Sequence, residues 1–213
     1  MLLVTTALTL LPSLDTDLLA SPLAPFVAPA PAAQEKEDWT FSYTYVELGA
    51  ARYNVDVIDE DADVFYGRAS VGFLGFLYGF GQYTNQSFDF EDTSTDLIQL
   101  GVGAHFGVLP NLDLFGEIGW LYNDISSDLG DNDDTGYSVE GGARWMPLRW
   151  GGGGLELDGS LGYLDLEGVS DEDKPFFWEL GARFHFLTSF SIGAAYQMIE
   201  DDDQVVLNAR FSF

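Results

Sequence analysis

From Trp39 to Phe213 the chain alternates apolar and polar residues with a period of two, the mark of strands with one greasy and one polar face. The last segment shows it most clearly. Val205, Leu207, Ala209, Phe211 and Phe213 share one face, and Asn208, Arg210 and Ser212 alternate with them. Nine earlier segments repeat the pattern. The first sets Trp39, Phe41, Tyr43 and Tyr45 on the apolar face against Thr40, Ser42 and Thr44. The second sets Phe65, Gly67, Ala69, Val71 and Phe73 against Arg68 and Ser70. The third, about Phe76 to Ser87, fits either phase. The fourth to ninth carry apolar faces beginning at Ile98, Leu112, Tyr137, Leu155, Phe176 and Phe190.

The connections between these segments alternate in character. Leu74-Gly75, Pro110-Asn111 and Thr188-Ser189 are short, with a longer Pro147–Gly154 that ends in four glycines and reads as a flexible turn. The others are longer and acidic, roughly 56–63, 89–96, 124–134, 165–173 and 200–203. Five long loops and four short turns call for ten strands with both termini on the short-turn side. That is the asymmetry of an all-β, transmembrane, antiparallel up-and-down β-barrel. Eight strands is the alternative count, and a soluble lipocalin-like barrel turned inside out is the alternative solvent. The polar faces favour the membrane version. Arg68, Glu117, Glu140, Arg144, Glu156, Asp158, Glu179, Arg183 and Arg210 all fall in lumen phase, where charges can pair. The same charges facing lipid at mid-depth would cost about 2–4 kcal/mol each. Glu179 is expected to pair with Arg183. Trp39, Phe73, Trp145 and Phe213, at strand ends, are expected in the interfacial girdle.

Composition sharpens this picture. The chain of 213 residues has 15% aromatics and 24 glycines, and it contains no apolar run long enough for a transmembrane helix. Cysteine is absent, which excludes disulfides, thiol nucleophiles and zinc–thiolate sites. A net charge of -27 argues against a nucleic-acid partner. At the front, Leu2–Leu11 is an apolar stretch of signal-peptide length, and Ala30-Pro31-Ala32 offers a cleavage pattern. Residues 1–33 therefore read as a signal peptide with a Pro/Ala-rich leader, and 34–213 as the barrel. The departure from the secretory pattern is that no Lys or Arg precedes Lys36.

Candidate chemistry is sparse. The only histidines are His105 and His185, and both fall near the short-turn ends of their strands. The barrel hydrolases of the omptin type and the lipid A-modifying type resemble one another in placing their chemistry at the opposite rim. No catalytic residue is assigned, and nothing calls for a cofactor. Asp131-Asn132-Asp133-Asp134-Thr135-Gly136 partly imitates a calcium loop, so Asp131, Asp133 and Asp134 are weak metal candidates. Position 12, however, is Gly142, where a bidentate Glu would be needed.

Ser42-Tyr43-Thr44-Tyr45-Val46-Glu47, Leu100-Gly101-Val102-Gly103, Gly136-Tyr137-Ser138-Val139-Glu140 and the Phe-terminated end carry a likeness. They resemble a xanthomonad-type family of small outer-membrane proteins within the porin-like, OmpA/OmpX-like barrel class. The resemblance implies the outer membrane of a Gram-negative bacterium and assembly by the barrel machinery, with Phe211 and Phe213 as the insertion signal. Implied partners are outer-membrane lipid and lipopolysaccharide, with divalent cations at the acidic loops, around a monomer. The expected function is non-enzymatic, structural or surface-interacting. A narrow porin-like channel is the alternative, and a surface hydrolase the second alternative.

Overall fold

The computed structural model describes residues 41–55, 60–88, 93–127, 130–166, 176–200 and 202–213, with side chains described outside 53–61 and 127–131. The leader (1–33), Trp39 and the tips of the acidic loops lie outside the described residues. Ten strands follow in chain order: β1 (Tyr45–Val55), β2 (Glu60–Phe73), β3 (Leu77–Phe88), β4 (Ser94–Leu109) and β5 (Leu112–Ser127). They continue as β6 (Gly130–Trp150), β7 (Gly153–Leu166), β8 (Phe176–His185), β9 (Phe190–Ile199) and β10 (Asp202–Ser212). Each pairs antiparallel with its sequence neighbours, and β1 closes onto β10 through Tyr45↔Ser212 to Asn54↔Asp203. Closure leaves no open edge, which a sheet in lipid requires because every backbone polar group must be satisfied internally.

The outward face is the apolar one. Leu48, Phe65, Val71, Leu100, Val102, Ile118, Leu161, Leu180 and Leu207 are each more than half exposed. A soluble barrel would bury these residues, so the lipocalin-like alternative fails. Rings collect at both ends of this aliphatic belt. Towards the short turns, Trp150, Phe184, Phe186 and Phe190 form a chain of ring contacts, and Phe211 meets Phe213 edge-on at 5.0 Å. Towards the loops, Trp120 stacks near Tyr122, and Trp178 packs near Tyr196. Two aromatic girdles bounding an apolar band mark the two interfaces of a bilayer. The outward charges Arg52, Asp63, Asp96, Asp124 and Asp203 lie at the loop ends of their strands, outside that band.

Three sequence expectations need correction. Tyr43 and Tyr45 point into the lumen, at 7% and 6% exposure, while Val46 and Leu48 face out. The first strand therefore starts later and in the opposite phase: β1 runs through the stretch after Tyr45, where Val46, Leu48 and Ala50 supply the lipid face. The Pro147–Gly154 connection is strand up to Trp150, and the turn is only Gly151-Gly152, with Gly152 at φ 87°. A register shift between Trp145 and Leu148 absorbs Pro147, which has no N–H to give to the ladder. The acidic stretch 124–134 is also largely strand, paired from Asn123↔Asp134 to Ser127↔Gly130. β6 has 21 residues, about twice the 9–11 needed to span a bilayer, so the β5–β6 hairpin extends well beyond the membrane.

The ambiguous third segment resolves with Tyr78 and Phe80 inward. Inward glycines of neighbouring strands make this possible, because rings lie flat where a Cβ would stand. Tyr78 covers Gly103 and Phe80 covers Gly101. Gly103→Ala would overlap the Tyr78 ring and push its hydroxyl off Glu117. The expected cost is about 1–3 kcal/mol, the range for overpacking, read as a lowered unfolding transition of the detergent-folded barrel.

Candidate functional site: the barrel lumen

All nine charged residues expected in the lumen face it, and the register orders them from loop side to turn side. On β8 the inward series runs Phe177, Glu179, Gly181, Arg183, His185. On β6 it runs Ser138, Glu140, Gly142, Arg144, Met146. On β10 it runs Gln204, Val206, Asn208, Arg210. The arginines of β6, β8 and β10 thus gather towards the short turns, the carboxylates Glu140 and Glu179 sit higher, and amides and hydroxyls occupy the loop side.

The turn-side layer is a set of ion pairs reaching across the lumen. Arg144 grips Glu156 with two hydrogen bonds, 2.8 Å from Nε and 3.2 Å from Nη2. His185 Nε2 lies 2.9 Å from the same carboxylate. Glu47 accepts from Arg210 Nε at 2.7 Å, from Arg183 Nη2 at 2.9 Å and from the Tyr66 hydroxyl at 2.9 Å. One carboxylate thereby holds two guanidiniums from two different strands. Arg68 pairs with Glu117, which also accepts from the Tyr78 hydroxyl at 2.9 Å. The Tyr43 hydroxyl donates to Asp113 at 3.0 Å, and His105 Nδ1 lies 3.1 Å from the same oxygen. Arginine faces stack on rings throughout: Arg68 over Phe80, Arg210 over Tyr45, and Arg144 beside Phe41 and Tyr43. Arg and carboxylate in bidentate geometry, with aromatic faces filling the gaps, satisfy buried charge where isolated charge would be prohibitive.

Glu47, Tyr66, Tyr78 and Asp113 were not among the residues picked out from the sequence. Glu47 was hidden by the misplaced start of β1. The tyrosines were hidden because aromatic rings read as lipid-facing, and here they lie over glycines. Arg183 pairs with Glu47 instead of the expected Glu179. Glu140, Asp158 and Glu179, on three successive strands, make no ion pair among the described residues. Glu140 stands directly opposite Glu117 in the register, a like-charge juxtaposition that Arg68 offsets. Arg183 Nε and Nη1 and Glu117 Oε2 have no hydrogen-bond partner among the described residues. These groups all border one lumen cavity of about 260 Å³, which runs from Gln86 and Leu164 near the loops to Tyr43 and Glu156 near the turns.

Two of the three weak metal candidates, Asp133 and Asp134, do not converge. Asp133 and Asp134 are successive residues of β6 and therefore point to opposite faces. Asp134 accepts from Asn132 at 3.2 Å. A calcium loop needs a sharp turn that an extended strand does not make. The side chain of Asp131 lies outside the described residues, and among those described no group of three or more candidate ligands comes together. His105 and His185 both lie on the turn side, and Phe211 and Phe213 sit in the turn-side girdle beside the seam.

The closed, lipid-faced barrel is similar in fold to the NanC porin, with 7% identity over 79% of this chain and 100% of that one and a TM-score of 0.50. This chain has the fold of an outer-membrane β-barrel. The β domain of the Bordetella autotransporter BrkA aligns at 13% identity over 79% of this chain and 98% of that one, with a TM-score of 0.43. The KdgM porin aligns at 7% identity over 80% and 99%, with a TM-score of 0.42. No protein-family model and no curated protein matches the chain. The outer membrane of a Gram-negative bacterium, expected from the sequence, is the location that this architecture fits.

Proposed function

We propose that this barrel is a non-catalytic, monomeric outer-membrane protein with a structural or surface-interaction role, its lumen closed at the turn side. The observation that carries this reading is the cross-lumen layer built on Glu47, Glu156 and Glu117, in which arginines and rings crowd the turn side of the lumen. A ten-stranded barrel has a narrow interior, and side chains of this size can fill it. The acidic strand ends above the membrane then become the part that meets the surroundings. There they suit divalent cations shared with lipopolysaccharide phosphates, because hard oxygen ligands favour such ions. Phe211 and Phe213, beside the seam, are the segment proposed for recognition by the barrel-assembly machinery.

Against catalysis stands the character of the Ser–His–carboxylate neighbourhood that the described residues form in the turn-side layer. Ser191 lies directly opposite His185, which touches Glu156, yet Ser191 is 1% exposed and beyond the reach of a substrate. A nucleophile must be approachable before its activation matters.

The test is conductance in planar bilayers, together with swelling of liposomes in small sugars. The expected result is a silent membrane from protein that shows heat-modifiable mobility and a β-rich circular dichroism spectrum. Stable conductance steps from the unaltered protein would overturn the closed-barrel reading.

A further inference from the structure

We propose that the short segment Phe41–Thr44 is a cork in the turn-side mouth of the lumen, and that withdrawing it turns the barrel into a channel preferring small cations. This rests on the closed-barrel reading above and says which part does the closing. Three observations lead to it.

Tyr43 is joined to the chain at one wall of the barrel but makes its contacts on the others. Its ring stacks on His105 of β4 with centroids 3.9 Å apart, and on Tyr78 of β3 at 4.6 Å. Its hydroxyl reaches Asp113 of β5, and the Arg144 guanidinium of β6 lies 5.0 Å from its centroid. Phe41 packs below it against the same guanidinium at 4.8 Å, and Arg144 Nη1 donates to the Ser42 carbonyl at 3.3 Å. Four strands thus converge on one residue of a four-residue segment.

That segment is not part of the barrel's ladder. Closure begins at Tyr45, which pairs with both Ser212 and Ser70. The segment before it is tied by a few separate bonds: Ser70 Oγ to the Tyr43 carbonyl, Gly72 N to Thr44 Oγ1 and Phe213 N to the Thr44 carbonyl. Breaking these leaves every strand pairing of the barrel in place. The cork and the wall are therefore separable, which is not true of the ion pairs, whose members all sit on the wall.

Above the cork the lumen is already hollow. The cavity reaches from the loop side down to Tyr43 itself, so Tyr43 stands at its floor. Its lining holds four arginines and six carboxylates. Three of those carboxylates, Glu140, Asp158 and Glu179, make no ion pair among the described residues and lie on the adjacent strands β6, β7 and β8. Where they are ionised, carboxylates without an ion-pair partner on the wall of a narrow path attract cations and repel anions.

The experiment compares the full chain with Phe41→Ala/Tyr43→Ala, each refolded in detergent, checked for heat-modifiable mobility, and placed in planar bilayers under a potassium chloride gradient. The expected result is silence from the parent and conductance steps from the variant, with a reversal potential on the cation side. Adding Glu140→Gln/Glu179→Gln to the variant should move that potential towards zero while the steps persist. Tyr43→Ser alone, and Asp113→Ala, which frees the Tyr43 hydroxyl, supply further folded forms should the double variant fold poorly. Silence from every folded variant overturns the cork, while leaving the closed-barrel reading intact. Steps of equal size and frequency from the parent overturn both. Steps from the variant with no cation preference overturn the assignment of Glu140 and Glu179.

Discussion

Glu47→Ala is expected to cost the folded barrel about 3–5 kcal/mol, the range for removing one partner of a buried ion pair. Glu47 is 5% exposed and is the acceptor for Arg183, Arg210 and Tyr66 at once. Its loss leaves two guanidiniums of β8 and β10 facing each other with no shared counter-charge. Their mutual repulsion adds to the loss of the pairs. Glu47→Gln should fall between the two, since an amide oxygen can still accept the Tyr66 hydrogen bond but cannot balance the arginines. The measurement is the urea midpoint of the detergent-folded protein, followed by the mobility difference between boiled and unboiled samples. A change below about 1 kcal/mol, the size typical of solvent-screened pairs, would mean that the layer is wet and its charges are screened.

The second large effect is on the opposite face. Val102 lies near the middle of the apolar band on β4 and is 54% exposed to the outside. Val102→Arg is expected to cost about 2–4 kcal/mol, as for arginine on a lipid face at mid-depth. The control lies on the same strand. Gln99, three positions towards the loops and on the lumen face, bonds Ser138 at 2.8 Å among other polar groups. Gln99→Arg should cost clearly less, because its charge enters a wet, acid-lined space. Refolding yield into vesicles and urea unfolding of both variants decide it. Equal costs at the two positions would mean that the assignment of inner and outer faces on β4 is wrong.

Much of this architecture was legible from the sequence, for a physical reason. A membrane barrel has a non-polar solvent outside and polar contents inside, so Leu207, Ala209 and Phe211 differ in kind from Asn208, Arg210 and Ser212. The period-two pattern therefore carries both the strand count and the phase of most strands. It failed where the lumen itself is aromatic. Tyr43, Tyr45, Tyr78 and Phe80 look lipid-facing by composition, and only the glycines beneath two of them, at 101 and 103, reveal the inward packing. Those glycines belong to a different strand, so the signal is a cross-strand coincidence that no local window contains. The same error concealed Glu47. The lumen position of Arg68, Arg144, Arg183 and Arg210 could be read from alternation, but which carboxylate each would choose depended on the strand register and on side-chain reach across the lumen. The acidic stretch 124–134 read as loop because its Asp and Asn residues disfavour strand. Ladder pairing with the facing strand overrides that preference.

Closure of the seam also has a consequence for the order of events during synthesis. Glu47 lies near the beginning of the described barrel, and its two arginine partners arrive 136 and 163 residues later. Until β8 and β10 have docked, the carboxylate has Tyr66 but neither arginine, and the first strand has nothing to zip against on one side. Contacts of such long sequence separation are the slowest to form, because the whole intervening chain must be gathered first. The three-way contact at Glu47 therefore acts as a timer: it is completed only when β10 docks, so the charge that fastens the interior is set at the moment the ring shuts. A nascent barrel halted before that point would carry an acidic, unlocked first strand, chemically distinct from the finished product and open to quality control.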